Sequence, residues 1–367
     1  MQVCHITSVH PRYDIRIFIK ECQALSAKHQ VSLIVADSLG DELKDAIQIY
    51  DVGRVTGGRL ARMRIAAQRL FDKVLALQPE IVHFHDPELL GIGVKLAKLG
   101  YKVIYDVHED VPKQVMNKHW IPRVIRPLIS KLVEYKERRS AALFSGVICA
   151  TEIIAARFKQ YNSNTIAIHN FPILAELMQQ DVTWNDRQDS ICYIGSISAT
   201  RGIIPLVDSL ALSGARLELA GNYSGDNIAE QIKGSAGAKL VNYHGVINRQ
   251  QIGELLASVK VGMVTLLPTP SYVESLPIKL FEYMLAGIPV VASNFPLWQS
   301  IVEANNCGLM VDPSDANAIA KACQWLLNNQ EEAEKMGSNG REAVLKHYTW
   351  DAELHKLRTF YRELHSS

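Results

Sequence analysis

Short apolar runs alternate along the chain with longer stretches in which apolar positions recur every three or four residues. The first kind predicts strands buried on both faces of a parallel sheet, and the second predicts amphipathic helices covering it. The first half reads as strands Gln2–Thr7, Val31–Ala36, Ile81–Phe84, Val103–Asp106, Val147–Ala150 and Thr165–Ile168, with helices near Ile15–Lys28 and from Glu88 to Leu99. The pattern stops at Asn170-Phe-Pro172, and 173–189 is irregular and polar. It then restarts with strands Ser190–Ile194, Arg216–Ala220, Leu240–Tyr243, Val261–Thr265, Pro289–Ala292 and Gly308–Val311 and a helix from Ile203 to Leu212. Three helices close the chain: Ala316–Asn328, Glu331–Lys346 and Trp350–Leu364. This predicts an α/β protein of two Rossmann-like doubly wound domains, 1–172 and 190–349, with 173–189 as linker and 350–367 as a closing helix. Two such domains facing each other form a cleft at the carboxyl ends of their strands, where these sheets bind ligands.

A chain of 367 residues with 48% apolar content suits two cores. No apolar run reaches the ~18–20 residues that span a bilayer, and the first residues do not read as a signal peptide. Six scattered cysteines without a C-x-x-C pair favour reduced thiols and a cytosolic setting. Net charge is +1 but unevenly spread: residues 1–172 carry 24 Lys/Arg against 17 Asp/Glu, and the remainder 15 against 21. The basic excess lies in two helix-like segments, Arg54 to Lys73 (with Arg59, Arg62, Arg64 and Arg69) and Lys113 to Arg139. In the second, Arg126, Leu128 and Ile129 beside Trp120 and Ile121 mix basic and apolar groups. That mixture suits either an anionic membrane surface or an ordinary solvated helix face. The near-neutral total and the lack of a nucleic-acid motif argue against nucleic acid.

The segment most charged with chemistry is Glu274-Ser-Leu-Pro-Ile-Lys-Leu-Phe-Glu282, followed by Gly287-Ile-Pro289 and an apolar strand. Pro277 suits a first helical turn, and Ser275 is placed to cap its amides. Glu274 then lies in the loop and Glu282 inside the helix, with a positively polarised helix start between them for a phosphate. A nucleotide sugar has a matching layout of sugar, diphosphate and ribose. The structural alternative is an exposed Lys279–Glu282 pair at i,i+3.

Three strands of the second half end on glycine: Gly195-Ser196, with Arg201 shortly after, Gly221, and Gly245-Val246. Together they suit a backbone-lined slot for a base, and Arg201 suits phosphate oxygens. In the first half, His83 and His85 fall on one side of an extended strand leading into Asp86, and His108, Glu109 and Asp110 end the next. A metal reading of His83, His85, Asp86 and His108 lacks further ligand spacing, and His108 fits better as a neutral polar contact. Asp14 and Arg16 sit at a strand-to-helix junction, either facing a phosphate or pairing to fix the loop.

The pattern Glu274-x7-Glu282 with Gly287-x-Pro289-Val-Val, Gly195…Arg201-Gly202, the His108 strand end and His347-Tyr-Thr-Trp350 resembles the family-4 retaining glycosyltransferases of the GT-B fold. The resemblance implies that Glu274 contacts donor sugar hydroxyls, with Leu276 and Pro277 near the sugar and diphosphate, and that Glu282 binds the ribose diol. It places Arg201 where the family has a phosphate-binding lysine and His108 near the reacting centre, making His108 and Glu274 the catalytic pair. Gly195, Ser196, Gly221, Gly245, Val246 and Lys279 complete the donor side; Asp14, Arg16, His85 and Glu109 form the acceptor side. The closing helix crosses back to the first domain. Two departures stand out: Ser196 replaces the arginine that often follows the first glycine, and His10–Arg16 replaces a double-glycine loop.

The expected activity is retaining transfer from a UDP- or GDP-sugar to a saccharide or lipid-linked saccharide, in bacterial surface polysaccharide synthesis. No cofactor or metal is expected, and the expected location is cytoplasmic, with peripheral contact to the inner face of the membrane. The rival readings are a GT-B-fold sugar-nucleotide epimerase or hydrolase and a non-catalytic nucleotide-sugar-binding scaffold. A metal-dependent hydrolase ranks behind both.

Overall fold

The computed structural model describes residues 1–56, 59–118, 120–177, 182–225 and 227–366, and the side chains of 59–62 fall outside this set. Arg59 and Arg62 of the first basic segment, and 178–181 of the expected linker, therefore lie outside the described side chains and residues. The chain divides into two compact units, Met1–Asn170 with Asp351–Ser367, and Phe171–Trp350.

The first unit is built on eight strands: β1 (Gln2–Ile6), β2 (Gln30–Val35), β3 (Glu42–Lys44), β4 (Ile47–Asp51), β5 (Ile81–Phe84), β6 (Lys102–Val107), β7 (Gly146–Cys149) and β8 (Thr165–Ala167). They run in the order β3-β4-β2-β1-β5-β6-β7-β8. All neighbours pair in parallel except the β3–β4 hairpin. The central strands are the long apolar runs, buried on both faces as a covered parallel sheet requires. The edge hairpin was not foreseen. Its strands are short and interrupted by polar residues, and its turn is made by Asp45 and Ala46 at positive φ without a glycine to mark it.

Two helical expectations change here. Ile15–Cys22 is a π-helix that becomes α-helical only over Gln23–Ser26, with Ile19 N–H donating five residues back to Asp14. The basic run from Lys113 to Arg139 is broken into Val111–Asn117, a 3₁₀ turn Arg123–Ile125 and Arg126–Ala141. Pro122 and Pro127 are the cause: each lacks an N–H and so fits only where a helix begins. The last helix, Trp350–Ser366, buries Leu357, Phe360, Tyr361 and Leu364. Phe360 packs so closely on Gly146 of β7 that a Cβ there would stand 2.4 Å from its ring.

The second unit carries β9 (Ser190–Ile194), β10 (Arg216–Ala220), β11 (Val241–Gly245), β12 (Val261–Val264), β13 (Val290–Ser293) and β14 (Gly308–Val311). Its all-parallel order is β11-β10-β9-β12-β13-β14. The winding direction reverses between β9 and β12, which makes the carboxyl end of β9 the switch point where such sheets leave a crevice. In the first unit the reversal falls between β1 and β5. Candidate residues cluster at both places.

Candidate functional site

At the end of β9 the chain turns on Gly195, at φ +125°. A side chain there would meet Lys279 Nζ at 3.3 Å. Gly221, following β10 at φ +142°, is more tightly constrained, because a Cβ would stand 1.8 Å from the Gly195 carbonyl oxygen. Glycine is thus required at two neighbouring strand ends, and it keeps backbone exposed to a ligand. Ser196 contributes its carbonyl to the Tyr193 hydroxyl at 3.0 Å. Gly245 ends β11, and Val246 beyond it is 78% exposed.

The helix Ile278–Leu285 has Pro277 as its N-cap residue and no side-chain cap. This corrects the expectation for Ser275, whose hydroxyl donates to the Tyr272 carbonyl at 2.9 Å. The loop before the helix is instead held by its own turns and by Trp298, whose Nε1 donates to the Ser275 carbonyl at 2.6 Å. Glu274, Leu276 and Pro277 are half-buried in that loop. The amides at the helix start are thereby left to a ligand.

Lys279 is not the exposed partner of Glu282 that i,i+3 spacing allows. It is buried, its Nζ 3.5 Å from the centre of the Tyr193 ring and without a hydrogen-bond partner. Burial, reinforced by the nearby charge of Arg201, pushes its pKa well below the ordinary lysine value. Arg201, half-buried, lies over Tyr272, its Cζ 5.7 Å from the ring centre. A buried amine without a partner, a second cation and an uncapped helix start converge near Gly195, and each is satisfied by a diphosphate.

Glu282 is buried and ion-paired at 2.8 Å with Arg249, which also holds Glu176 at 2.8 Å. Arg249 escaped the sequence reading. The sequence marks only the start of its helix: Asn248 and Gln251 form a capping box that begins the helix Arg249–Ser258 at the end of the β11 connection. Tyr223 and Tyr243 were also missed; their rings lie 4.7 Å apart at the ends of β10 and β11, both partly exposed.

In the first unit, the strand-end residues form a network. Arg16 is buried and makes two hydrogen bonds to Asp106, at 2.9 and 2.7 Å, and one to the Ile168 carbonyl at 2.9 Å. Asp14 caps the following helix by accepting from the amides of Arg16 and Ile17. Asp14 thus fixes the loop through the Arg16 amide, while the Arg16 guanidinium is taken up by Asp106 and the Ile168 carbonyl. Burial alone would raise the Asp106 pKa, but the Arg16 charge and hydrogen bonds from His108 and His85 hold it well below the carboxylate range.

His108 Nε2 sits 2.9 Å from Asp106 and its side chain is 19% exposed, the reachable end of this network. His85 is buried behind it, 3.1 Å from Asp106, so it backs the site rather than lining it. Burial lowers its pKa to about 4, against the pull of Asp106. Glu109 is exposed beside His108. Asp86 accepts from Ser8 N and the Thr7 and Ser8 hydroxyls and pairs with His10 at 2.9 Å, so it organises the loop after β1.

These are two α/β units of nucleotide-binding type, one carrying a cationic, glycine-lined pocket and the other a histidine–carboxylate strand end. Residues 17–171 match the family described as Glycosyltransferase Family 4, and 175–343 match Glycosyl transferases group 1. The two matches cover most of the chain, which belongs to this glycosyltransferase family. It is similar to an MMP alpha-(1->4)-mannosyltransferase of Mycolicibacterium hassiacum, 20% identical across 73% of this chain and 67% of that protein. Its fold is that of sucrose-phosphate synthase from Thermosynechococcus elongatus, at 18% identity, TM-score 0.79, 100% of this chain and 99% of the other. Anabaena Alr3699/HepE in complex with UDP and glucose is also similar, at 14% identity and TM-score 0.73 over 99% of this chain and 100% of that one. The chain is thus a glycosyltransferase of the GT-B type.

Proposed function

We propose that this enzyme is a retaining glycosyltransferase that takes a sugar from UDP or GDP and passes it to a saccharide or lipid-linked saccharide, with no metal at the donor. The observation that carries the reading is Lys279: a buried amine without a hydrogen-bond partner, next to Gly195 and Arg201 at an uncapped helix start. A lysine is retained in such a place at a cost that an anion offsets. Lys279, Arg201 and the amides at 278–279 hold the diphosphate, Glu274 the sugar hydroxyls, and Glu282, oriented by Arg249, the ribose diol. Gly245 and Val246 meet the base.

Transfer with retention then proceeds on one face of the sugar. The bond from the anomeric carbon to the phosphate oxygen breaks, the acceptor oxygen bonds to that carbon, and the departing phosphate oxygen takes the acceptor proton. The protein supplies positive charge at the leaving group and fixed positions for both substrates. His108, the reachable end of the first unit's network, is assigned a polar contact with substrate.

The test is transfer assayed with purified Glu274→Ala and Lys279→Met proteins. Losses on the order of 10²–10³ in rate are expected for removing a preorganised contact. Unchanged transfer by both variants overturns the assignment, and loss of activity within minutes of adding EDTA overturns metal independence. Dependence of donor turnover on an acceptor separates transfer from hydrolysis or epimerisation, and absence of any turnover identifies a binding scaffold.

Among the described residues no helix is long and apolar enough to cross a membrane. The first unit does present Trp120 (66% exposed), Val124 (88%), Leu128 (70%) and Leu132 (53%) among exposed Arg123, Lys131, Lys136 and Arg138. This supports peripheral attachment to an anionic bilayer, with apolar groups entering the headgroup region and basic ones at its surface. Two residues of the expected patch serve otherwise: Ile121 is buried, and Arg126 donates to the carbonyls of Ile121 and Met116.

A further inference from the structure

We propose that His5, Glu21, His83 and His85 form a closed zinc-binding site inside the first unit, structural in purpose and separate from the donor pocket. The sheet builds it. His5 on β1 pairs in register with His83 on β5, and His85 lies two residues further along, on the same face. The three rings form one group, with centroids 4.5, 4.6 and 5.2 Å apart. The π-helix Ile15–Cys22 brings Glu21 to the same place, its Oε2 4.0 Å from His5 Nδ1 and 3.9 Å from His83 Nδ1. One ligand atom from each of the four lies within 4.8 Å of all the others.

Geometry and chemistry both fit zinc. A tetrahedral ion with bonds of about 2.0–2.1 Å holds its ligand atoms about 3.3 Å apart. His5 Nδ1 and His85 Nε2 are 3.0 Å apart, and Glu21 Oε2, 4.0 Å from His5 Nδ1, closes on them to complete the set. Three imidazoles and one carboxylate are a donor set suited to zinc.

The outer contacts are those of metal-bound histidines. His83 Nδ1 meets the Tyr361 hydroxyl at 2.7 Å, and His85 Nδ1 meets Asp106 at 3.1 Å, which in each ring turns Nε2 inward. All four groups are fully or almost fully buried. Yet His83 Nε2 and both Glu21 oxygens have no hydrogen-bond partner, with Arg16 Nε at 3.3 Å from Oε1 as an ion pair only. Unsatisfied polar atoms buried together cost stability unless something binds them. The His-x-His reading of the sequence thus finds a different set. His5 and Glu21 join, while Asp86 and His108 are engaged elsewhere.

The experiment uses the full chain with any polyhistidine tag removed, expressed with zinc in the medium and desalted. Elemental analysis is expected to find about one zinc per chain. Protein unfolded with a chelator and refolded with cobalt(II) alone should show the visible absorption of a tetrahedral centre. Glu21→Gln, nearly isosteric, and His83→Gln should lose both signals while still binding UDP through the second unit. Less than about a tenth of an equivalent of zinc in folded wild-type protein overturns the proposal, as does undiminished zinc in folded Glu21→Gln. The wild-type measurement decides the matter even if a variant fails to fold.

Discussion

Lys279 stands over the face of Tyr193 with its amine 3.5 Å from the ring centre and no hydrogen-bond acceptor. The ring's negative face offsets part of the cost of burying a cation, and a bound diphosphate would offset the rest. Because burial and then Arg201 depress its pKa, the amine gives up its proton more readily than a solvated lysine. An anion reverses that depression. UDP binding should therefore take up protons, and affinity should fall as pH rises through the free-state pKa. Calorimetric titration with UDP in two buffers of different ionisation enthalpy measures this; identical apparent enthalpies would contradict it.

The same depression fixes the sign for stability. A folded-state pKa below the unfolded one means the neutral form is favoured on folding, so the contribution is full above the unfolded pKa and is lost as pH falls through the folded one. Lys279→Met should make the unliganded protein more stable, increasingly so at lower pH, by urea unfolding. It should also weaken UDP binding by roughly 10- to 100-fold, the worth of a charged hydrogen bond of about 1.5–3 kcal/mol.

Arg249 and Glu282 are coupled. Arg249→Met should destabilise the second unit by about 2 kcal/mol, less than a fully buried pair loses because the arginine is 27% exposed. Adding Glu282→Gln should recover part of that loss in a double-mutant cycle, whereas strict additivity would show that the pair carries no coupling.

Arg16 and Asp106 bear more. Both are buried and joined by two hydrogen bonds. Arg16→Met should cost about 3–5 kcal/mol by denaturant unfolding, through the uncompensated carboxylate it leaves behind. Arg16→Lys should rescue little, since an ammonium cannot make the paired contact.

The membrane assignment is checked by sedimentation with vesicles of phosphatidylglycerol and phosphatidylcholine. Binding is expected at low salt and should weaken as salt rises. Val124→Glu with Leu128→Glu should abolish it without changing donor hydrolysis or UDP affinity, and binding equal to wild type would count against the patch.

Much of this fold was legible because buried parallel strands are written as apolar runs: β5, β9, β10 and β14 fall where the pattern puts them. The β3–β4 hairpin was not, because a one-sided edge strand leaves half its residues polar and its turn has no glycine. At the proposed donor site, Gly195, Arg201, Glu274 and Lys279 stand out in the sequence, and the structure brings Lys279 next to Gly195 and near Arg201. The burial of Lys279 was not legible, since a lysine two residues into a helix reads as solvated until its neighbours are placed. Arg249 and Glu21 were missed for a related reason: their partners lie far away in sequence, and local spacing carries no sign of them.

The terminal helix has a consequence for synthesis. Phe360 and Tyr361 complete the core around β7 and β5, yet they are made only after the whole second unit. A nascent chain still held at residue 350 has every strand of the first sheet and lacks the helix that seals it. Folding from the amino end, the usual order for domains during translation, is therefore expected to give way here. The first unit closes only after a segment made later than the whole second unit.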